Sequence, residues 1–178
     1  MMIYLIRHGM TEANVKSLYC GSSDVSLCEA GREELLGIRH EIGDVRFLTS
    51  GMKRANETLA ILFGNVDYEV EPRFREVDFG VFEMFSYEQL KHRADFQAWY
   101  HADKERNAPP GGESRGQMKA RALQAFQEIR EDTCIVTHGG VIAGIMEQMF
   151  PEERKTHKQW QPKNGHGYCI TDQGYHAL

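Results

Sequence analysis

The fold is decided by two short stretches, Met2-Ile3-Tyr4-Leu5-Ile6-Arg7-His8-Gly9 and Cys134-Ile135-Val136-Thr137-His138-Gly139. Each is an apolar run of strand length that stops at histidine and glycine, the signature of a buried strand delivering a polar side chain at its carboxyl end. The first is followed by polar residues able to open a helix from Thr11. The second is followed by Val141, Ile142, Ile145, Met146 and Met149, which recur at helical spacing.

Around these two runs, helices are predicted over about 29–41 (Leu35, Leu36, Ile38), 53–63 (Ala55, Leu59, Leu62) and 114–130 (Met118, Leu123, Phe126, Ile129). Ser114 and Gln117 have capping-box spacing at the start of the last of these. Strands are predicted over 46–49, 68–70 and 168–171, the last closing the chain. Residues 75–116 break this rhythm, with two short helices near 87–91 and 95–100 and a turn-rich stretch 107–112, an insertion of the kind that shapes a pocket. Strands alternating with helices imply βαβ units, so the expected class is α/β: a three-layer α/β/α sandwich on a mostly parallel sheet, forming one domain over residues 1–178.

Composition narrows the function classes. The chain has 178 residues, 41% hydrophobic and 26% charged, an ordinary globular mixture. Twenty-one Lys and Arg against 26 Asp and Glu give a net charge of −5, and the basic residues are scattered, so neither nucleic acid nor an anionic membrane is an expected partner. No apolar run approaches the ~20 residues of a membrane span, and the N-terminus lacks the basic region and cleavage site of a signal peptide. A cytoplasmic protein is expected. Cys20, Cys28, Cys134 and Cys169 form no CxxC pair and read as reduced thiols.

In open α/β sheets the carboxyl ends of strands line the ligand crevice, so His8 and His138 are expected to meet there. The glycines after them let backbone amides approach a ligand, and helix N-termini with Arg7 make the crevice suited to an anion. Arg54, at the strand-to-helix turn Ser50-Gly51-Met52-Lys53-Arg54, reads alone as an exposed helix residue, yet it falls at the same sheet edge. Glu76 reads equally well as a salt-bridge partner, and Asn14 as a helix-surface amide. His8, His138, Glu76 and Asp78 match no metal-ligand spacing, and neighbouring arginines repel a cation, so no metal is expected. No GxSxG elbow, Walker loop or GxGxxG follows a strand, and no cofactor is expected.

The run Leu5-Ile6-Arg7-His8-Gly9-Met10-Thr11-Glu12-Ala13-Asn14 resembles the signature of the histidine phosphatase superfamily, the phosphoglycerate mutase-like fold. The resemblance extends along almost the whole chain, through 21–25, the arginine block 50–58, Arg75-Glu76-Val77-Asp78-Phe79-Gly80 and Thr137-His138-Gly139-Gly140. The segments Pro109-Pro110-Gly111-Gly112-Glu113-Ser114 and Trp160-Gln161-Pro162-Lys163-Asn164 are similar to the alpha-ribazole phosphatase-like branch. The resemblance implies a metal-free phosphatase for a small phosphorylated metabolite. His8 would be the nucleophile, Arg7, Arg54 and His138 the clamp on the phosphoryl oxygens, and Glu76 the acid and base. Asn14, Ser22 and the Gly139 amide would be further phosphate contacts. A mutase-type phosphotransferase, a phosphoprotein phosphatase and an idle anion-binding module are the alternatives, and the assembly is expected to be a monomer or homodimer.

The chain departs from the family pattern at three places. Gly51 and Met52 replace a proline and an aliphatic residue, predicting a looser turn before Arg54; Cys28 replaces the usual Ser or Thr helix cap; and Met84-Phe85 follow Glu83 where glycine is usual, predicting a bulkier, more apolar wall near the leaving group.

Overall fold

Strand β1 (Ile3–Arg7) alternates as strand geometry requires, with Ile3 and Leu5 packing into one apolar cluster and Tyr4 and Ile6 into another on the opposite face. In the computed structural model, which describes residues 1–178, β1 lies near the middle of a six-stranded sheet of order β3-β2-β4-β1-β5-β6. The remaining strands are β2 (Arg46–Thr49), β3 (Glu69–Val70), β4 (Thr133–Thr137), β5 (Gly167–Thr171) and β6 (Gly174–Ala177). β1 to β4 are mutually parallel, and β5 runs antiparallel to both β1 and β6.

Helices flank both faces. α6 (Arg115–Gln127) and α7 (Gly139–Met149) cover the face of Ile3, Leu5 and Ile135, with Met118, Phe126, Ile142, Ile145 and Met146 in the shared core. α3 (Lys53–Phe63) covers the other with Ala55 and Leu59 against Tyr4, Ile6, Cys134, Val136 and Cys169. No helix is long and apolar enough to cross a membrane. All four cysteines are unpaired, and burial pushes the Cys134 thiol well up.

Between β3 and α6 the chain leaves the sheet and forms α4 (Tyr87–Leu90) and α5 (Ala94–His101) around a third cluster, Phe82, Leu90, Phe96 and Trp99. The remaining helices are single turns or short: α1 (Glu12–Val15), α2 (Glu29–Leu36) and α8 (His157–Trp160).

The structure corrects several readings. The chain closes on β6, the second arm of an antiparallel hairpin, and β5 is not the last strand. α2 stops at Leu36, five residues early, because the Gly37 amide caps it onto the carbonyls of Glu34 and Leu35. Its start is capped after all: Cys28 Sγ accepts from the Gly31 amide at 3.4 Å. The turn before Arg54 is tight, since Gly51 takes φ +80°, its amide donates to Thr49 Oγ1 at 3.0 Å, and Met52 is buried. Met84 and Phe85 are exposed and stand outside the main pocket, so they form no wall there. Met84 instead holds φ +63°, the left-handed conformation that a glycine adopts at least cost.

Candidate active site

The parallel register pairs Arg7 with Thr137, so His8 and His138 leave their strands at one height. Their rings stand 5.2 Å apart between centroids, and both side chains are buried. The His8 amide donates to the Thr137 carbonyl at 2.9 Å, and Asn164 Nδ2 donates to the His8 carbonyl at 2.9 Å, which fixes the backbone on both sides. His8 Nδ1 lies 2.7 Å from the Gly9 carbonyl. A carbonyl only accepts, so Nδ1 carries the proton and Nε2 keeps its lone pair. Burial first, then Arg54, pushes the His8 pKa down to about 3, leaving the ring neutral at physiological pH.

Arg54 is brought in on the first turn of α3 and is 1% exposed. Its Nη1 donates to the Ser23 carbonyl and its Nη2 to the Gly21 carbonyl, each at 2.8 Å, and its Nε donates to His138 Nδ1 at 3.3 Å. Three of five guanidinium donors are thereby used, and two remain. His138 is occupied on both sides, for its Nε2 donates to Ser50 Oγ at 2.8 Å. In this arrangement His138 braces Arg54, and burial with the Arg54 charge holds its pKa well below the ordinary value.

Arg7 donates from Nη1 to the Pro162 carbonyl at 2.8 Å, while its buried Nε has no partner. A buried guanidinium nitrogen left without an acceptor is costly unless a ligand supplies one. Glu76 is held by two amides, Val77 to Oε1 and Gly140 to Oε2, both at 2.9 Å, so its carboxylate sits at the N-terminus of α7. Gly140 is required there because a Cβ would stand 2.4 Å from Glu76 Oε1. Arg121 pins the backbone that carries Glu76, donating to the carbonyls of Arg73, Arg75 and Glu76 at 2.7, 2.6 and 3.1 Å while paired with Glu113.

Arg7, Glu76 and Gly140 line a pocket of about 370 Å³ together with the aromatics Tyr19, Phe79, Trp99 and Tyr100 and the polar side chains of Asn14, Arg115, His157 and Gln161. Asn14 uses Oδ1 to accept from Thr11, which leaves its amide nitrogen for the pocket. Gly139 is the first residue of α7, and a Cβ there would stand 3.2 Å from the Arg7 guanidinium. The Ser22 hydroxyl donates to Asp78 at 2.9 Å, and Ser22 lines a second depression with Arg75, Glu76 and Asp78, so Glu76 borders both hollows. Of the aromatics, Phe82 is wholly buried in the third cluster and Tyr87 lies outside the pocket, whereas Trp99 and Tyr100 form part of its wall.

Sequence reasoning overlooked Arg121, Ser50 and Glu83. The Glu83 carboxylate gathers the amides of Gly21, Ser22, Ser23 and Phe79 and the Ser23 hydroxyl. Only Ser50 left a trace in the sequence, as the residue opening the arginine block.

Comparison with known proteins identifies the family and the fold. The family model of the histidine phosphatase superfamily (branch 1) matches residues 3–176. Phosphoglycerate mutase-like protein 4 of Arabidopsis thaliana is 29% identical over 170 residues, covering 88% of this chain and 74% of that protein. The adenosylcobalamin/alpha-ribazole phosphatase of Salmonella typhimurium is 30% identical over 163 residues, covering 84% and 80%. Among solved structures, the phosphoglycerate mutase from Thermus thermophilus superposes with a TM-score of 0.77 at 22% identity, covering 100% of this chain and 96% of that one. A solved Escherichia coli chain reaches 0.82 at 24% identity, covering 100% and 94%.

Proposed function

The chain belongs to the histidine phosphatase superfamily, branch 1, and from that premise we propose that it hydrolyses a small-molecule phosphate monoester through a phosphohistidine formed on His8, without a metal. The observation that carries this reading is the pairing of a neutral His8, free at Nε2, with two guanidinium groups that still have donors to give: the unpartnered Nε of Arg7 and the two remaining N–H groups of Arg54. Phosphoryl transfer spreads charge over three equatorial oxygens, and fixed cationic donors in a buried site stabilise that charge as it develops.

His8 Nε2 attacks phosphorus, a P–N bond forms, and the P–O bond to the leaving group breaks. Glu76 passes a proton to the departing alkoxide. A water then attacks the phosphohistidine, its proton passes to Glu76, the P–N bond breaks, and inorganic phosphate departs with His8 regenerated. Asn14, which lines the pocket, and the Gly139 amide at the start of α7 would add phosphate contacts. His138 would act by holding Arg54, and Ser22 would contribute from the neighbouring depression that it shares with Glu76.

The pocket wall suits a leaving group with a flat or apolar portion, and alpha-ribazole 5′-phosphate is the substrate we put first, given the relative from Salmonella typhimurium. The test is phosphate release in EDTA from alpha-ribazole phosphate, phosphoglycerates, sugar phosphates and a phosphohistidine peptide, beside His8→Ala. Turnover that survives chelation and disappears in the variant is expected. Phosphate binding by a folded protein that releases none would favour the idle anion-binding module.

A further inference from the structure

Glu83 is half-buried and lies outside the pocket, yet it is the most heavily bonded carboxylate at this end of the sheet. It takes the amides of Gly21 (3.0 Å), Ser22 (2.9 Å) and Ser23 (3.2 Å), the Ser23 hydroxyl (2.6 Å) and the Phe79 amide (2.9 Å). Three consecutive amides converging on one anion form a nest, and charge-assisted bonds of this kind are about twice as strong as neutral ones. The loop so held also lies flat against the segment that carries Glu76, since a Cβ on Gly21 would stand 1.6 Å from the Val77 carbonyl oxygen.

Turned around by Glu83, the loop points its carbonyls the other way. Gly21 and Ser23, whose amides bind Glu83, are the residues whose carbonyls take Nη2 and Nη1 of Arg54. Asp24, next along, binds the Lys53 amide at 2.7 Å, tying the loop to the helix that bears Arg54. We propose that Glu83 is a positioning residue: through the Gly21 and Ser23 carbonyls it sets the plane of the Arg54 guanidinium, and through the Phe79 amide it keeps the segment bearing Glu76 in register with it. The inference rests on the phosphatase reading for its kinetic consequence, though not for its geometry.

The isosteric change Glu83→Gln is the sharpest probe. A carboxamide has one acceptor oxygen, and its NH2 would face amide donors, so the nest cannot be refilled. Misplacing a catalytic group by about 1 Å costs on the order of 100-fold. With p-nitrophenyl phosphate, Glu83→Gln is therefore expected to lower kcat/KM by roughly 30- to 100-fold. In an Arg54→Lys background, where no fork remains to orient, the same change should cost under about threefold, because the two sites act as a unit. Equal cost in both backgrounds would mean that Glu83 acts only on stability and would overturn the proposal.

A second readout needs no turnover. The Nε–Hε resonance of Arg54, identified by its loss in Arg54→Lys or in Arg54→Gln, should shift and exchange faster with water in Glu83→Gln. An unmoved resonance overturns the proposal whatever the kinetics. Wild-type protein that releases no phosphate, with a resonance that does move, would instead refute the phosphatase reading and leave the positioning role standing.

Discussion

Gly140→Ala tests the acid–base role of Glu76 without replacing its carboxylate. The added methyl would sit 2.4 Å from Oε1 and 3.1 Å from Cδ of Glu76, so the carboxylate must withdraw by about 1 Å to reach ordinary contact distance. That withdrawal breaks the 2.9 Å bond from the Gly140 amide to Oε2. A charged hydrogen bond of this kind contributes about 1.5–3 kcal/mol, and alanine returns about 0.5–1 kcal/mol in a helix. Stability should therefore fall by at most about 2.5 kcal/mol, whereas a displacement of about 1 Å costs roughly 100-fold in catalysis. The assay compares kcat/KM, which reports formation of the phosphohistidine, for an alkyl phosphate and for p-nitrophenyl phosphate. An alkoxide needs its proton, while p-nitrophenolate leaves without one. The alkyl substrate should lose about 100-fold and the aryl substrate under about fivefold. Equal losses on both substrates would refute the assignment of Glu76 as the proton donor.

Three further outcomes are expected. His8 is pushed down to about 3 in the folded protein against an ordinary 6.5. The unfolded chain thus takes up the proton first, and stability that is complete above pH 6.5 is lost as the pH falls toward 3. At pH 5 the loss from His8 is about 2 kcal/mol, visible as a lower urea midpoint than at pH 7; His138 adds to it in the same direction, and His8→Gln should shrink the difference. Cys28→Ser replaces a 3.4 Å sulfur cap by an oxygen cap and should raise stability by roughly 0.5–1 kcal/mol in thermal unfolding, unless the shorter hydroxyl fails to reach the Gly31 amide. Met84→Gly relieves the φ of +63° and should stabilise by about 0.5–1 kcal/mol with kinetics unchanged, since Met84 is outside the pocket; a loss of stability would show that its side chain is packed usefully.

The histidine pair was readable because each strand is a continuous apolar run that ends on its functional residue, and parallel register then brings the ends level. Arg54 was readable only with its neighbours, because its buried state comes from a loop thirty residues earlier. β6 escaped notice because Gly174-Tyr175-His176-Ala177 alternates over only four residues, with just Tyr175 and Ala177 apolar, and is held as a strand by its pairing with β5. α2 was drawn too long because Ile38 continues the helical spacing beyond the glycine that ends it. Glu83 could not have been found by pattern, for its partners at 21–23 are some sixty residues away and are backbone amides, which every residue but proline possesses.

The central position of β1 also governs how the chain comes to be folded. Ile3 pairs with Thr133 on one side and with Ile170 on the other, so the first strand made has no ladder partner until about 130 residues later. At synthesis rates of about 5–20 residues per second that wait is roughly 6–26 seconds. For that time the run Met2 to Ile6 is a sticky, unpaired ribbon, and the emerging protein depends on chaperones or on speed to keep it from neighbouring nascent chains.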